Sequence, residues 1–399
     1  MTILILSNTS GHKTPYSEWI EEASEQVVLF CPRDKRETFH QNNYLYIKDF
    51  ENYLDDDTII TTALQFNQKY HFSQVLSVSE FDVIRSAKLR ELLNLPGQHL
   101  LSAEAYRNKL FMKALLKNSN VKVPEYSAII SRAHVDEFIK KHDFPVVIKP
   151  IYGTGSKKTF IVKNKGDVDK FFNTHSEHID HFEIEKFIQG DMFHVDGLIV
   201  NNTMEYCYVS QYYTGCLAFQ KNKPVSSYLL DADNPLTKAL TNQAAEIIET
   251  LPAIVTSSFH VEFFVTPTKD IYLCEIASRT GGGEIGASIA FATGRLLNKE
   301  MLLSQLHLPT SLETQPMTTA TAFIMFPPQD GRYRGILKRA PFPWVLNEKI
   351  FAEEGKQYHA ATFSADYIAS VILKGENEEQ LIERIDKVIK WYDQNMIWE

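Results

Sequence analysis

The sequence predicts an α/β fold with parallel sheet at its N-terminal end and antiparallel sheet packed with helices beyond it. Three observations carry this. Short apolar runs alternate with helix-like segments over residues 1 to 95, strand-like runs return at hairpin distance from Val146 onward, and 399 residues suffice for two or three packed lobes.

In the first region Ile3–Leu6, Val27–Phe30, Tyr44–Ile47 and Val75–Val78 are predicted strands and Asp82–Leu93 a predicted helix, the rhythm of βαβ units. Pro96-Gly97 punctuates the chain, and Ser102–Lys117 is helical sequence up to the Val123-Pro124 break. Val146–Lys149 and Thr159–Val162 are predicted to form a hairpin whose tip holds Gly153-Thr-Gly155-Ser156-Lys157-Lys158. After Glu183–Ile188 come strands at Val195–Val200 and Glu205–Tyr213, a helix at Leu236–Thr250, and strands again through Glu275. The region after Leu312, with Pro327-Pro328 and Gly331-Arg-Tyr-Arg-Gly335, reads as a small β-rich lobe ending in a helix, Glu378–Tyr392. The expected domains are therefore 1–96, 97–190 and 191–399.

Composition narrows the function. A net charge of −9 without any long basic block disfavours a nucleic-acid partner. No run of about 18 apolar residues occurs, which argues against a membrane span. The apolar opening run is short and lacks a basic flank, so it reads as a strand, not a signal peptide. Cys31, Cys207, Cys216 and Cys274 are far apart with no C-x-x-C spacing, as expected of reduced thiols in a cytoplasmic protein.

The most informative segment is His260-Val-Glu262-Phe-Phe-Val265, a turn through Asp270, and Ile271-Tyr-Leu-Cys-Glu275-Ile276. In an unbulged hairpin Glu262 and Glu275 face each other, with Cβ atoms roughly 4.5–5.5 Å apart, and like charges so placed repel. A cation between them resolves this, and two carboxylates plus phosphate oxygens suit Mg²⁺. The competing reading is a solvated sheet face, against which the flanking Phe263, Phe264, Leu273 and Ile276 count.

Lys149 ends a strand just before the Gly-rich tip, where backbone N–H groups and hydroxyls can fold over phosphate, although such a tip is commonly only a turn. Lys109 follows Asn108, a helix N-cap residue, and a cation there is offset if it faces phosphate; an ordinary surface lysine is the alternative. Arg279 and Gly281-Gly282-Gly283 lie a few residues past Glu275, where a guanidinium and glycine N–H groups can meet developing charge. Tyr206, Tyr208, Tyr212, Tyr213 and Phe219 read as core packing before acceptor pocket, and His194 and His260 as hydrogen-bonded structure.

In order and spacing these pieces resemble the ATP-grasp carboxylate–amine ligases, most of all bacterial L-amino-acid (dipeptide) ligases. The resemblance runs from Val78-Ser-Glu80-Phe-Asp and Ala87–Gly97 through Asn108-Lys109-Leu-Phe-Met-Lys and Pro145–Pro150. It continues over the Gly loop and Glu185-Lys186-Phe-Ile188-Gln-Gly190 to His260-Val-Glu262-Phe and Glu275–Gly283. It implies an ATP-grasp architecture: an N-terminal parallel α/β domain, a small ATP-lid subdomain and a C-terminal antiparallel-sheet domain.

It also implies that Lys109 and Lys149 contact ATP phosphates under a loop of Gly153, Thr154, Gly155 and Ser156. Glu185, Lys186, Phe187 and Ile188 would surround adenine, with the main chain of Lys186 and Ile188 on the ring edge. Glu262 and Glu275 would hold Mg²⁺, or Mn²⁺ in its place. Arg279 would stabilise an acyl-phosphate transition state, with Lys149 as a second catalytic group and Gly281 and Gly282 beside the substrate. Two positions depart from the pattern: Ala277 stands where many relatives have Asn, and the ribose contact is open among Asp191, Met192 and His194.

The implied partners are a small-molecule carboxylate and a small-molecule amine, with a homodimer left open and neither nucleic acid nor membrane. Other ATP-grasp chemistries, of the purine-biosynthesis or D-Ala–D-Ala type, and a non-catalytic nucleotide-binding module are the rival readings. No P-loop and no G-x-S-x-G elbow is present to suggest a different nucleotide or nucleophile chemistry.

Overall fold

The computed structural model describes residues 2–310, 317 and 319–399. Strands β1 (Thr2–Leu6), β2 (Val27–Pro32), β3 (Tyr46–Phe50) and β4 (Phe72–Ser77) form a parallel sheet in the order β3-β2-β1-β4. Every residue of β2 is buried, as in a parallel sheet covered on both faces. The third strand starts later than its apolar run, because Tyr44 is spent as a buried plug against the Phe39 ring and Lys48-Asp49 continues the strand. Helix Val83–Leu93 falls within its predicted span.

The helical stretch predicted over Ser102–Lys117 is interrupted. Leu100–Ala105 and Lys109–Leu115 are separate helices, divided at Tyr106-Arg107-Asn108. Asn108 is the reason, since its side-chain oxygen accepts from the Phe111 N–H at 3.0 Å and so starts a new helix. The break also lets Arg107 reach the Glu80 carboxylate.

A small antiparallel sheet follows: β5 (Tyr126–Ala128), β6 (Val146–Pro150), β7 (Phe160–Val162) and β8 (Phe182–Lys186), in the order β5-β8-β6-β7. The predicted β6–β7 hairpin is present, with Val146 opposite Val162. Helices Arg132–His142 and Lys165–His175 supply its core partners Val135, Phe138, Val168 and Phe171.

The remaining strands are β9 (Asp191–Val200), β10 (Thr203–Tyr212), β11 (Val225–Leu229), β12 (Thr256–Val265), β13 (Ile271–Ala277), β14 (Ala320–Phe326), β15 (Gly331–Ile336), β16 (Val345–Ile350), β17 (Gln357–Tyr358), β18 (Ala369–Gly375) and β19 (Met396–Trp398). An eight-stranded sheet runs β13-β12-β9-β10-β11-β14-β18-β16, and β17-β15-β19 form a small one. Leu312, from which the sequence marks off the last region, lies outside the described residues. The strands beyond it are shared between the two sheets: the fully buried β14 pairs with β11 and carries β18 and β16 with it.

Side chains of the large sheet alternate between two cores, as a period of two requires. Ala322 and Ile324 pack with helices Pro235–Thr250 and Glu378–Asn395. Phe323 and Met325 pack on the other side with Ile285–Thr293 and Leu297–Gln305, a core that also takes in Ile3, Ile5, Val27 and Leu29 of the first sheet. Among the described residues no helix is long and apolar enough to cross a membrane.

At the middle of β9, a Cβ on Gly197 would lie 2.2 Å from the Tyr206 carbonyl oxygen and 2.8 Å from the Phe259 ring. Backbone cannot yield that far, so Gly197→Ala is expected to destabilise the protein by about 1–3 kcal/mol in denaturant unfolding. An unchanged midpoint would contradict this packing.

Candidate active site

β12 and β13 bring Glu262 and Glu275 opposite each other, the register the sequence implies. The hairpin is nevertheless bulged, because the register shifts between Glu262 and Phe263. The bulge makes the pairing: the turn-side register of Val265–Ile271, Phe264–Tyr272 and Phe263–Leu273 would put Glu262 opposite Cys274, and the extra residue brings Glu275 there instead.

Around this pair lies a cavity of about 400 Å³, the size of a small-molecule site. One wall is the β6–β7 hairpin with Lys149, Gly153, Thr154 and Ser156, and another is Glu185-Lys186-Phe187-Ile188 at the end of β8. Glu262 and Glu275 line it, with Lys109 from the helix start, Asp191 and Met192 from β9, and Tyr212, Tyr213 and Cys216. Gly155 lies on the far side of the loop, in a neighbouring cavity.

The lysines nearest the glutamate pair are themselves paired. Lys109 Nζ lies 2.8 Å from Glu275 and donates to the Gly153 carbonyl at 3.1 Å. Burial raises the Glu275 carboxyl, yet the Lys109 charge beside it outweighs this and holds it below its ordinary range. Lys149 Nζ sits 2.7 Å from Glu185 and 3.9 Å from the Cys274 sulfur, and although burial disfavours its charge, Cys274, Glu185 and Glu183 push its pKa well up. The Tyr212 hydroxyl donates to Glu262 at 2.8 Å.

Two features escaped sequence reasoning. The fully buried Lys113 donates to both oxygens of Glu183 at 2.9 Å and to Glu185 at 2.6 Å, so Glu185 is clamped between two lysines. Its place one helical turn after Lys109 was the available signal. Lys186 donates its N–H to the Glu125 carbonyl at 2.8 Å, which leaves it no N–H for a ring edge. The second feature is Glu80, whose buried carboxylate binds both Arg107 and Arg279 across lobes.

His194 and His260 flank Asp196, their Nδ1 atoms 2.6 and 2.9 Å from its two oxygens. Burial raises the Asp196 carboxyl, but the two imidazoles hold it low. His260 also lies 3.4 Å from Glu262 through Nε2, and the Gly281 N–H donates to Asp196 at 3.2 Å. A Cβ at Gly281 would come within 2.6 Å of that Asp196 oxygen, so only glycine fits there. These three residues could together ligate a metal, but the Asp196 oxygens are met by two imidazoles, the arrangement of a self-satisfied triad. Glu262 and Glu275, whose oxygens face a solvent-reaching cavity, fit a hard divalent cation better. Ala277 shares their face of β13 and lines a space of about 10 Å³ already bounded by Glu80, Arg107, Asn108 and Lys109.

A further cavity, of about 310 Å³, lies beyond the carboxylate pair and shares Thr154, Ser156, Lys157, Tyr212, Cys216, Glu262 and Glu275 with the first. Arg279, Gly282 and Gly283 border it, and Phe363–Ala365 close it, the Ser364 N–H donating to the Gly155 carbonyl at 2.9 Å. The aromatics divide: Tyr206, Tyr208 and Phe219 are core, as expected, whereas Tyr212 and Tyr213 line the first cavity. Of the three residues weighed for a ribose contact, Asp191 and Met192 border that cavity and His194 is held by Asp196 and Ser227.

Residues 114–283 match the family model of the ATP-grasp domain. The chain is 21% identical over 351 residues to an L-arginine-specific L-amino acid ligase of Bacillus subtilis, covering 86% of this chain and 84% of that one. An L-amino acid ligase from Bacillus licheniformis shares its fold, with a TM-score of 0.80 at 17% identity over 100% of this chain and 99% of that one. The N5-carboxyaminoimidazole ribonucleotide synthetase of Thermotoga maritima does so at 0.70 and 16%, over 98% of each chain.

Removing one partner of a buried ion pair leaves the other charge uncompensated. Lys113→Met is therefore expected to destabilise the ligand-free protein by roughly 3–5 kcal/mol in urea unfolding, and a loss below about 1 kcal/mol would contradict the clamp. Burial raises the Glu185 carboxyl, but Lys113 and Lys149 lower it below its ordinary 4.5. Its stabilisation is then complete above that pH and fades as pH falls toward the lowered value, so urea midpoints should fall on acidification below pH 4.5, and less in Lys113→Met.

Proposed function

We propose that this chain, a member of the ATP-grasp ligases, uses Mg²⁺-ATP to join the carboxylate of one amino acid to the amine of another, releasing ADP and phosphate. The observation that carries the reading is the shared wall: the opposed Glu262 and Glu275 border two cavities at once, with the Gly loop over both. A nucleotide in the first and a carboxylate in the second would meet at that wall.

In the first step a carboxylate oxygen attacks the γ-phosphorus and the bond to the bridging oxygen of ADP breaks, giving an acyl phosphate. In the second, the amine nitrogen attacks the acyl carbon, the carbon–oxygen bond to phosphate breaks, and phosphate departs as nitrogen loses its proton. Such chemistry needs positioning and charge stabilisation more than a protein nucleophile.

Lys109 and Lys149 would bind the phosphates, Lys109 turning from Glu275 as it does so. Gly153, Thr154, Gly155 and Ser156 would cover them. Glu185, with the main-chain carbonyl of Lys186, the main chain of Ile188 and the side chains of Lys186, Phe187 and Ile188, would hold adenine. Glu262 and Glu275 would hold Mg²⁺, or Mn²⁺ on the same hard oxygens, which supplies charge neutralisation and orientation to the triphosphate. Arg279, fixed by Glu80, would stabilise charge on the transferring group, with Gly281 and Gly282 alongside the substrate.

ADP and phosphate release with Mg²⁺-ATP, screened over pairs of L- and D-amino acids with mass spectrometry of products, tests this. A dipeptide formed in step with ADP is expected; nucleotide binding without turnover on any pair would overturn it. Arg279→Ala is expected to lower kcat roughly 100–1000-fold with little change in the KM for ATP, and an unchanged kcat would remove Arg279 from the reaction.

A further inference from the structure

We propose that the second cavity selects, as the carboxylate substrate, an amino acid with an uncharged, apolar side chain of the size of leucine, methionine or phenylalanine. The inference rests on the ligase reading above and adds the substrate class.

The cavity is polar at one end and apolar at the other. Glu262 and Glu275 stand on β12 and β13, and Arg279 follows β13 directly. Phe323 and Met325 stand on β14, four strand positions away from β12 along β12-β9-β10-β11-β14, at a spacing of roughly 4.8 Å per strand. Val225 is the cross-strand partner of Met325, and Ile285 and Phe363 complete that end. A substrate whose carboxylate meets the γ-phosphoryl group at the glutamate end therefore points its side chain among these apolar groups.

Among the described residues that line this end, none is an acid. Glu284, between Gly283 and Ile285, is buried and already engaged, accepting from the Ser370 hydroxyl at 2.8 Å and the Tyr367 hydroxyl at 3.2 Å, with Lys349 Nζ 4.0 Å away. A guanidinium or ammonium placed between Phe323, Met325 and Phe363 would lose its water without gaining a partner. This chain would thus differ in side-chain choice from the L-arginine-specific relative it resembles.

Size is limited from two directions. Gly283 adopts φ +64, and a Cβ on it would lie 2.6 Å from the Met325 sulfur, so backbone and thioether are in contact along one wall. Phe363 closes the other side beside Gly155, on the segment whose Ser364 N–H holds the Gly loop. The group that fills the pocket thereby touches the cover of the phosphates.

Hydroxylamine tests the carboxylate side without knowledge of the amine, because its nitrogen attacks the acyl phosphate, expels phosphate and leaves a hydroxamate. With Mg²⁺-ATP and hydroxylamine, L-leucine, L-methionine and L-phenylalanine are expected to give hydroxamate with kcat/KM at least tenfold above L-arginine, L-lysine and L-glutamate. Turnover led by L-arginine or another charged amino acid overturns the side-chain assignment alone. Absence of both ADP and hydroxamate with every amino acid overturns the ligase reading and this inference with it.

Phe363→Ala, on a half-buried loop position, is expected to raise the KM for the best apolar amino acid roughly tenfold while the KM for ATP stays put. Equal effects on both constants, or none, would remove Phe363 from the pocket. Met325→Ala, which is expected to lower the melting temperature and is assayed below its own transition, should shift preference toward the larger of the apolar substrates; an unshifted order in the folded variant would count against the β14 wall.

Discussion

Two glutamates facing each other across one hairpin set the terms for the rest of the site. Like charges opposed in a ladder repel, and the repulsion is larger where burial removes water. The fold answers with cations drawn from separate segments: Lys109 from a helix start, Lys149 from the end of β6, and His260 from the same strand as Glu262. Lys149 and His260 each meet two carboxylates and Lys109 meets Glu275 and a backbone carbonyl, so the cavity is a lattice of alternating charge more than a set of isolated pairs. Lys149 faces Glu185, Glu185 faces Lys113, and His260 faces Asp196. Such a lattice is poised to accept a ligand of mixed charge, because each lysine can exchange a carboxylate for a phosphate without being left unpaired.

Position follows from how the lobes share residues. The small sheet contributes the roof and one wall, the eight-stranded sheet the floor, and the first region contributes Glu80, which reaches across to hold Arg279. The part of the chain hardest to interpret, beyond residue 312, turns out to matter twice. β14 supplies Phe323 and Met325 to the second cavity, and Phe363–Ala365 supply its cover and the backbone bond to Gly155.

Much of this was legible in the sequence because it rests on local signals. The β12–β13 hairpin showed in its two apolar runs and the turn between them, and Asn108 announced a helix start. The parallel first sheet showed as isolated buried runs. What stayed hidden depends on long-range packing. The bulge at the glutamate pair has no composition signature, and the break at Tyr106–Asn108 overrode an unbroken helical pattern through one cap and one ion pair. Lys113 looks like any helix lysine until Glu183 and Glu185, seventy residues on, are placed around it. The apolar end of the second cavity needs β14 beside β11, a pairing across nearly a hundred residues that no local pattern encodes.

In the proposed function the opposed carboxylates receive a divalent cation together with ATP. Calorimetric titration of ATP in Mg²⁺ and in EDTA, with the unaltered protein and with Glu262→Gln/Glu275→Gln, tests it directly. Mg²⁺ should tighten ATP binding to the unaltered protein, and that gain should vanish in the double variant while its metal-free affinity for ATP is kept or improved. An equal gain from Mg²⁺ in both proteins would contradict the claim and return the pair to the status of a structural feature.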